Sequence, residues 1–443
     1  MIRTARWAAV FGAGIIVALG VAFVLVSVAE RQQEGRQLTY NRLVEIAPGE
    51  PDPAVWGRNF PQQYEDWKRT LQTSNFDDYS RYGRYGGSEA FSRLDKYPDY
   101  RRIFAGNAFS VEYNEDRGHA NALNDMLSIQ RLGDQKPGAC MTCKSTQVPQ
   151  LMQEIGVDQF YATPVKDMVE KHGFQHSVAC ADCHDANTLQ LKLTRPAFTD
   201  AMVSRGIDVS KASRQEMRTY VCAQCHVEYY FAGQNKAVTL PWRNGLGIEA
   251  IEQYYDEINF SDWTHAETKA PLIKAQHPEF ELYSSGVHAR SGVACADCHM
   301  PYTRVGAAKV SSHWVNTPLA HINTSCTTCH GQQSEESMRQ RVFAIQDRTY
   351  AQLQHAEQAL VSAMDSIKAA IDAGVPDDRL AEARRLHRRA HLRWDFISAE
   401  NSMGFHSPQE AVRILGDATD FARQAELAAY KALIEHSQRA SAR

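Results

Sequence analysis

The chain has no cysteine outside a Cys-x-x-Cys pair, no large charge excess and no second long apolar run after residue 29. Each absence excludes something. A formal net charge of −4 leaves no basic footprint for nucleic acid, so no nucleic-acid partner is expected. A single apolar run excludes a polytopic membrane protein. The 443 residues are 43% hydrophobic with 26 Gly and 16 Pro, which excludes disorder and collagen-like repeats and allows one large domain or two ordinary ones. Strand-type alternation is also missing, so the expected fold is mainly α. What is present is cysteine chemistry. Ten cysteines form five pairs, 140/143, 180/183, 222/225, 295/298 and 326/329.

Residues 7 to 29 are an uncharged apolar run preceded by Arg3 and Arg6. At about 1.5 Å per residue, that length crosses a bilayer core of roughly 30 Å. A cleaved secretory signal ending near Ser27-Val28-Ala29 and an uncleaved anchor both fit, and the length favours the anchor. Either reading places the remainder outside the inner membrane, in an oxidising space where bare thiols become disulfides. Ten closely paired cysteines there need something bound to them.

Four pairs continue with histidine: CADCH (180–184), CAQCH (222–226), CADCH (295–299) and CTTCH (326–330). Cys-x-x-Cys-His is the attachment signature of c-type haem, two thioethers plus one axial imidazole. Paired zinc ribbons are the alternative, but five pairs make an odd number of half-sites. The fifth pair is followed by Lys144 in Cys140-Met141-Thr142-Cys143-Lys144. Either this site is degenerate, or Lys144 is itself the axial ligand, deprotonated on metal binding. Spacers of 36, 38, 69 and 27 residues between pairs suggest helices and loops wrapped on five covalently bound haems.

One CxxCK followed by four CxxCH resembles the pentahaem, ammonia-forming cytochrome c nitrite reductases. The resemblance runs from about residue 60 to 430 and includes Asp116-Arg117-Gly118-His119, CAQCHVEYYF (222–231), FSDWT (260–264), KAQHPE (274–279), CADCHMP (295–301) and MGFHSPQEAVRILGDA (403–418). It implies six-electron reduction of nitrite to ammonium at the Lys144 haem, fed by four bis-histidine haems. His184, His226, His299 and His330 would be proximal ligands, and His119, His288, His313 and His406 distal ones. His321 competes with His313, while His172 and His176 are spare candidates with a plain surface reading.

The same resemblance puts Arg131, Tyr229 and His277 in the substrate pocket, for nitrite attraction, hydrogen-bond donation and proton supply. Arg117 is the alternative to Arg131, and Tyr230 shares the composition of Tyr229. Glu228 and Gln276, with backbone carbonyls of Tyr229 and Lys274, form an oxygen set suited to Ca²⁺. An exposed-charge reading of Glu228, with Gln276 uninformative, stands beside this. A membrane quinol-oxidising multihaem cytochrome is implied as electron donor, a homodimer as the assembly and the periplasm as the location. A pentahaem electron carrier, and the same fold acting on hydroxylamine or sulfite, are the competing functions.

The expected organisation is a signal or anchor over 1–29, a Pro-containing linker over 30–55, a pentahaem catalytic region over 56–335 and a long-helix region over 336–443. Apolar residues from Ile345 to Ala370 recur at three- and four-residue steps, predicting a helix of about eight turns. Gly374 and Pro376 end it; a second starts near Leu380 and a third covers 409–437. His387 and His391, four apart among arginines, read as a solvated face.

Overall fold

In the computed structural model, which describes residues 2–36, 42–71, 91–133, 136–306 and 308–441, three long helices dominate the second half of the chain. Helix α4 spans Glu335–Asp372, α5 Ala381–Ala399 and α6 Pro408–Ser441, after α1 (Ile2–Arg36), α2 (Arg214–Ala223) and α3 (Ile248–Glu257). The Ser334 hydroxyl caps α4 by accepting from the Ser337 amide at 3.1 Å, and Glu335 and Glu336 lie in its first turn, where the helix dipole favours carboxylates. Gly374, at φ +80°, and Pro376 end it. The three helices run close to the predicted bounds.

Their stability comes from packing rather than propensity. Leu353, Leu360 and Met364 of α4, Leu386, Ala390 and Trp394 of α5, and Ile414, Ala418 and Ala422 of α6 share one core. Small residues repeating every three or four positions on α6 let its axis approach closely. Helix α3 is tied to this bundle by the buried Arg393, whose two terminal nitrogens donate to the two Glu252 oxygens at 3.0 Å each. This corrects the solvated-face reading of α5. His387, His391 and Arg393 are all fully buried, because α5 is the central helix of the bundle and has no wet side over its last two turns.

Among the described residues the sheet content is three two-stranded ribbons, and most of the rest is short helices and turns around the cysteine pairs. Backbone contacts divide the chain into two units, one of residues 1–45 with 304–310, the other of 46–303 with 311–443. Within the first, Gly12–Ala29 of α1 has a mean hydropathy of 2.5 and no buried share, so α1 is long and apolar enough to cross a membrane. The expected linker over 30–55 stops early. Ile46 is buried with Trp56 against Ala181 and Ala186, beside the second cysteine pair, while residues 37–41 lie outside the described residues.

Candidate active site

The cysteine motifs sit on local structure that brings them together. A capping box, Ser213 with Glu216, starts α2, which ends at the 222–226 motif. The Cys143 sulfur lies beside that of Cys225 and the Cys222 sulfur beside that of Cys295, and Cys298 lies in electrostatic reach of Cys326. The 140–144, 222–226, 295–299 and 326–330 motifs therefore form a continuous series. The 180–184 motif joins through Arg195, a buried cation that donates to the Thr142 carbonyl at 2.5 Å, the Ser145 carbonyl at 3.1 Å and the Asp182 carboxylate at 2.5 Å.

Four histidine pairs face one another across this series. Ring centroids of His119 and His226 are 6.3 Å apart, His184 and His313 6.2 Å, His299 and His406 6.3 Å, and His288 and His330 6.4 Å. Two imidazoles on opposite sides of one metal, each bonded at about 2.0 Å with roughly 1.1 Å from nitrogen to ring centre, have centroids about 6.3 Å apart. Every pair combines one motif histidine with one of the distal histidines expected from the sequence. The donor sets fit four bis-histidine haems, with a pairing that sequence alone does not give.

The ring nitrogens agree. His184 Nδ1 meets the Leu189 carbonyl at 2.9 Å, His299 Nδ1 the Asn316 carbonyl at 3.0 Å and His313 Nδ1 the Ser311 carbonyl at 2.9 Å. His406 Nδ1 meets the Glu400 carboxylate at 2.5 Å. These contacts hold each ring and direct Nε2 toward the partner histidine, as outer hydrogen bonds do at metal sites. Two glycines allow the approach. A Cβ on Gly118 would come within 2.5 Å of the Thr70 carbonyl beneath His119, and one on Gly286 within 2.1 Å of the His406 carbonyl. His321 packs edge-on against Trp314 at 5.0 Å instead of facing a motif histidine, and His172 is exposed.

Lys144 faces no histidine. Its Nζ lies 3.1 Å from Asp116 Oδ2, and His277 Nε2 reaches the same oxygen at 3.5 Å. Burial opposes ionisation of Asp116, but Lys144, His277 and Arg131 outweigh it and hold the carboxyl well below its usual range. Burial lowers the His277 imidazole to about 4, with Asp116 opposing the shift and Lys144 adding to it. Burial disfavours charge on Lys144 too, yet Asp116 raises it.

Arg131 lies over the Phe109 ring at 4.2 Å and, among the described residues, has no ion pair. Arg117, the alternative, is committed to Asp125 through two nitrogens. Tyr229 is half-buried and feels Cys143, Cys140 and Asp116, whereas Tyr230 is in the core with its hydroxyl 2.8 Å from that of Tyr254. Lys144, Arg131, Tyr229 and His277 thus gather on one side of the 140–144 motif, with Asp116 among them. Asp116 was not singled out by the sequence reading; an acid two residues before the glycine that seats His119 was the available signal.

Glu228 is fully buried, accepting from the Tyr255 hydroxyl at 2.9 Å and the Gln276 amide at 2.6 Å. Burial raises its carboxyl well above the ordinary value, and nearby Glu281 adds to that. Burial also raises Glu281, to about 8, and its Oε2 has no partner. The Gln276 side-chain nitrogen donates to the Lys274 carbonyl at 3.1 Å, so flipping that amide sets two oxygens side by side. Among the described residues no three His, Cys, Asp or Glu side chains converge on one point. A cation here would rest on one carboxylate with amide and backbone oxygens, which fits a hard oxygen-seeking ion.

The family model for cytochrome c552 matches residues 52–442. The chain belongs to the cytochrome c552 family. A cytochrome c-552 of Bacteroides fragilis is 43% identical over 430 residues, covering 95% of this chain and 85% of its own. One from Porphyromonas gingivalis is 38% identical, covering 96% and 86%. The structure is similar to the catalytic subunit of cytochrome c nitrite reductase from Desulfovibrio desulfuricans ATCC 27774, described for its two calcium sites. The TM-score is 0.80, with 33% sequence identity over 88% of each chain. As a cytochrome of this family the chain carries covalent haem c, and its five Cys-x-x-Cys pairs fit as attachment points.

Proposed function

We propose that this cytochrome reduces nitrite to ammonium at the haem attached through Cys140 and Cys143, with Lys144 as its axial ligand. The single observation that carries this is that each of the four histidine motifs has a second imidazole facing its own at 6.2–6.4 Å, whereas among the described residues Lys144 has no such ring pair and instead shares Asp116 with His277, near Arg131 and Tyr229. When bound, the haems would supply one-electron redox steps, with Lys144 and the Cys140 and Cys143 sulfurs holding the one at which nitrite would react. Arg131 attracts the anion and polarises its N–O bonds, because among the described residues no carboxylate pairs with its guanidinium. Tyr229 donates a hydrogen bond from its hydroxyl, and His277 accepts and delivers protons. Glu228, Gln276 and the carbonyls of Tyr229 and Lys274 would hold Ca²⁺, fixing the 228–229 and 274–277 segments together. Ammonium formed per nitrite consumed under a viologen reductant tests this; a purified holoprotein that oxidises no reductant with nitrite contradicts it.

The surroundings support a membrane-tethered periplasmic homodimer. Leu427, Tyr430 and Ile434 are 61%, 56% and 49% exposed along one stripe of α6, a face that a second copy would cover. Helix α1 would serve as signal or tether. The series ending at the 326–330 motif, where Cys329 is exposed, would be the entry from a membrane quinol-oxidising multihaem cytochrome.

A further inference from the structure

Reducing nitrite to ammonium consumes six electrons and eight protons, and the haem series accounts for electrons alone. The interior of the α5 bundle contains polar groups that this series does not use. His265, His387 and His391 are all fully buried, with ring centroids 5.6 Å apart for 265 and 387 and 6.4 Å for 387 and 391. His265 is fully engaged: its Nε2 meets the Arg102 carbonyl at 3.0 Å, and its Nδ1 accepts from the Glu267 and Thr268 amides at 3.2 Å each. His387 Nδ1 lies 3.2 Å from the Thr268 hydroxyl, while its Nε2 is unpaired. His391 comes near the Ile273 backbone without meeting hydrogen-bond geometry, so both of its nitrogens are unpaired, as is Trp394 Nε1 beside it.

Among the described residues, four buried nitrogens in one seam lack partners, and leaving them so would be destabilising. Packing alone would be served better by leucine, which leaves nothing unsatisfied. A metal is not indicated, since His265 has no free nitrogen and no three ligands converge among the described residues. Bridging water satisfies such groups, and native interiors commonly hold it. Among the described residues no direct hydrogen bond joins these rings, and gaps of this size would each take one water.

The seam has two ends. The outer one is the Thr264–Lys269 turn, in which Thr264, Ala266 and Lys269 are exposed around buried His265 and Thr268. The inner one is the 274–277 loop. His391 feels the charge of Lys274, whose ammonium lies 3.0 Å from Asp395, and Asp395 accepts from the Ala275 amide at 2.8 Å. Gln276 and His277 follow directly. We propose that His387, His391 and the water between them form a proton inlet from the 264–269 turn to His277. This rests on the nitrite-reducing reading above. In each hop an imidazole gains a proton at one ring nitrogen and loses one from the other. Solvent is the donor and the reacting nitrogen group the final acceptor, with no electron moved along the seam.

The test uses full-length holoprotein, wild type and His391→Leu, with His391→Gln as the conservative variant. A crystal structure of the wild type is expected to show ordered water between residues 387 and 391, lost in His391→Leu. With nitrite, His391→Leu is expected to lower kcat ten- to a hundredfold, leave KM within about twofold and raise the solvent deuterium isotope effect on kcat. Haem absorption should be unchanged, and His391→Gln should keep more activity because its amide still orders water. A dry seam, or wild-type kcat and isotope effect in His391→Leu, overturns the inlet while leaving nitrite reduction intact. A wild type that forms no ammonium overturns both. If His391→Leu does not accumulate as holoprotein, His387→Leu supplies the same readouts.

Discussion

Arg195 is where the architecture is most exposed to a single change, and its consequence can be worked from the structure. Arg195→Met removes a 1%-exposed guanidinium that bridges the lysine motif and the second haem motif. It leaves the Asp182 carboxylate, 4% exposed at its side chain, with only the Ala179 amide at 2.8 Å, and it orphans the Thr142 carbonyl while leaving that of Ser145 only the Val148 amide at 3.4 Å. Breaking a buried ion pair on one side costs about 3–5 kcal/mol, a large share of the roughly 5–15 kcal/mol that holds a domain. Adding Asp182→Leu removes the stranded charge, so the double variant should recover at least about 2 kcal/mol, with the orphaned Thr142 carbonyl keeping it below wild type. Urea midpoints with fitted slopes, followed by far-UV circular dichroism, measure all four corners of the cycle. A loss below about 1 kcal/mol for Arg195→Met, or simple additivity in the double variant, refutes the clamp.

Other expectations follow from the same geometry. Arg131→Met should raise KM for nitrite by ten- to a hundredfold, the worth of one charge-assisted contact, and disturb neutral hydroxylamine much less; equal effects on both substrates would contradict anion attraction. Glu400→Gln removes the carboxylate on His406 Nδ1 and should raise the potential of the haem held by His299 and His406, about 59 mV for a tenfold change in relative affinity for the oxidised iron, seen in a spectropotentiometric titration. The buried carboxyls Glu228 and Glu281 titrate above their unfolded value, so without a cation the folded state binds more protons than the unfolded one. The stability these two groups contribute is then fully present below about pH 4.5 and falls as pH rises, for Glu281 up to about 8, by about 1.4 kcal/mol per unit for each group. Denaturation midpoints of chelated protein at pH 5 and 8 should show this, and added Ca²⁺ should remove the pH dependence.

Much of the site was legible in the chain because haem attachment is a local signature and long amphipathic helices are periodic. The histidine pairing was not, since it joins residues up to 129 positions apart, as for His184 and His313, and only the folded series brings them to 6.2 Å. The choice between Arg131 and Arg117 likewise depended on a tertiary fact, the engagement of Arg117 by Asp125. Helix α5 misled for a physical reason. Its arginines suggest a wet face, but Arg393 is neutralised by Glu252 inside the bundle, and His387 and His391 face a polar seam that sequence does not mark.

The central claim is that Lys144 marks the one haem without a second protein ligand. Electron paramagnetic resonance of the oxidised holoprotein, compared with quantified haem content, tests it most directly. Five haems with four low-spin bis-histidine signals and one high-spin signal are expected, and Lys144→His should perturb the high-spin signal while leaving the other four in place. Five low-spin irons, or a high-spin signal that Lys144→His does not touch, would contradict the account.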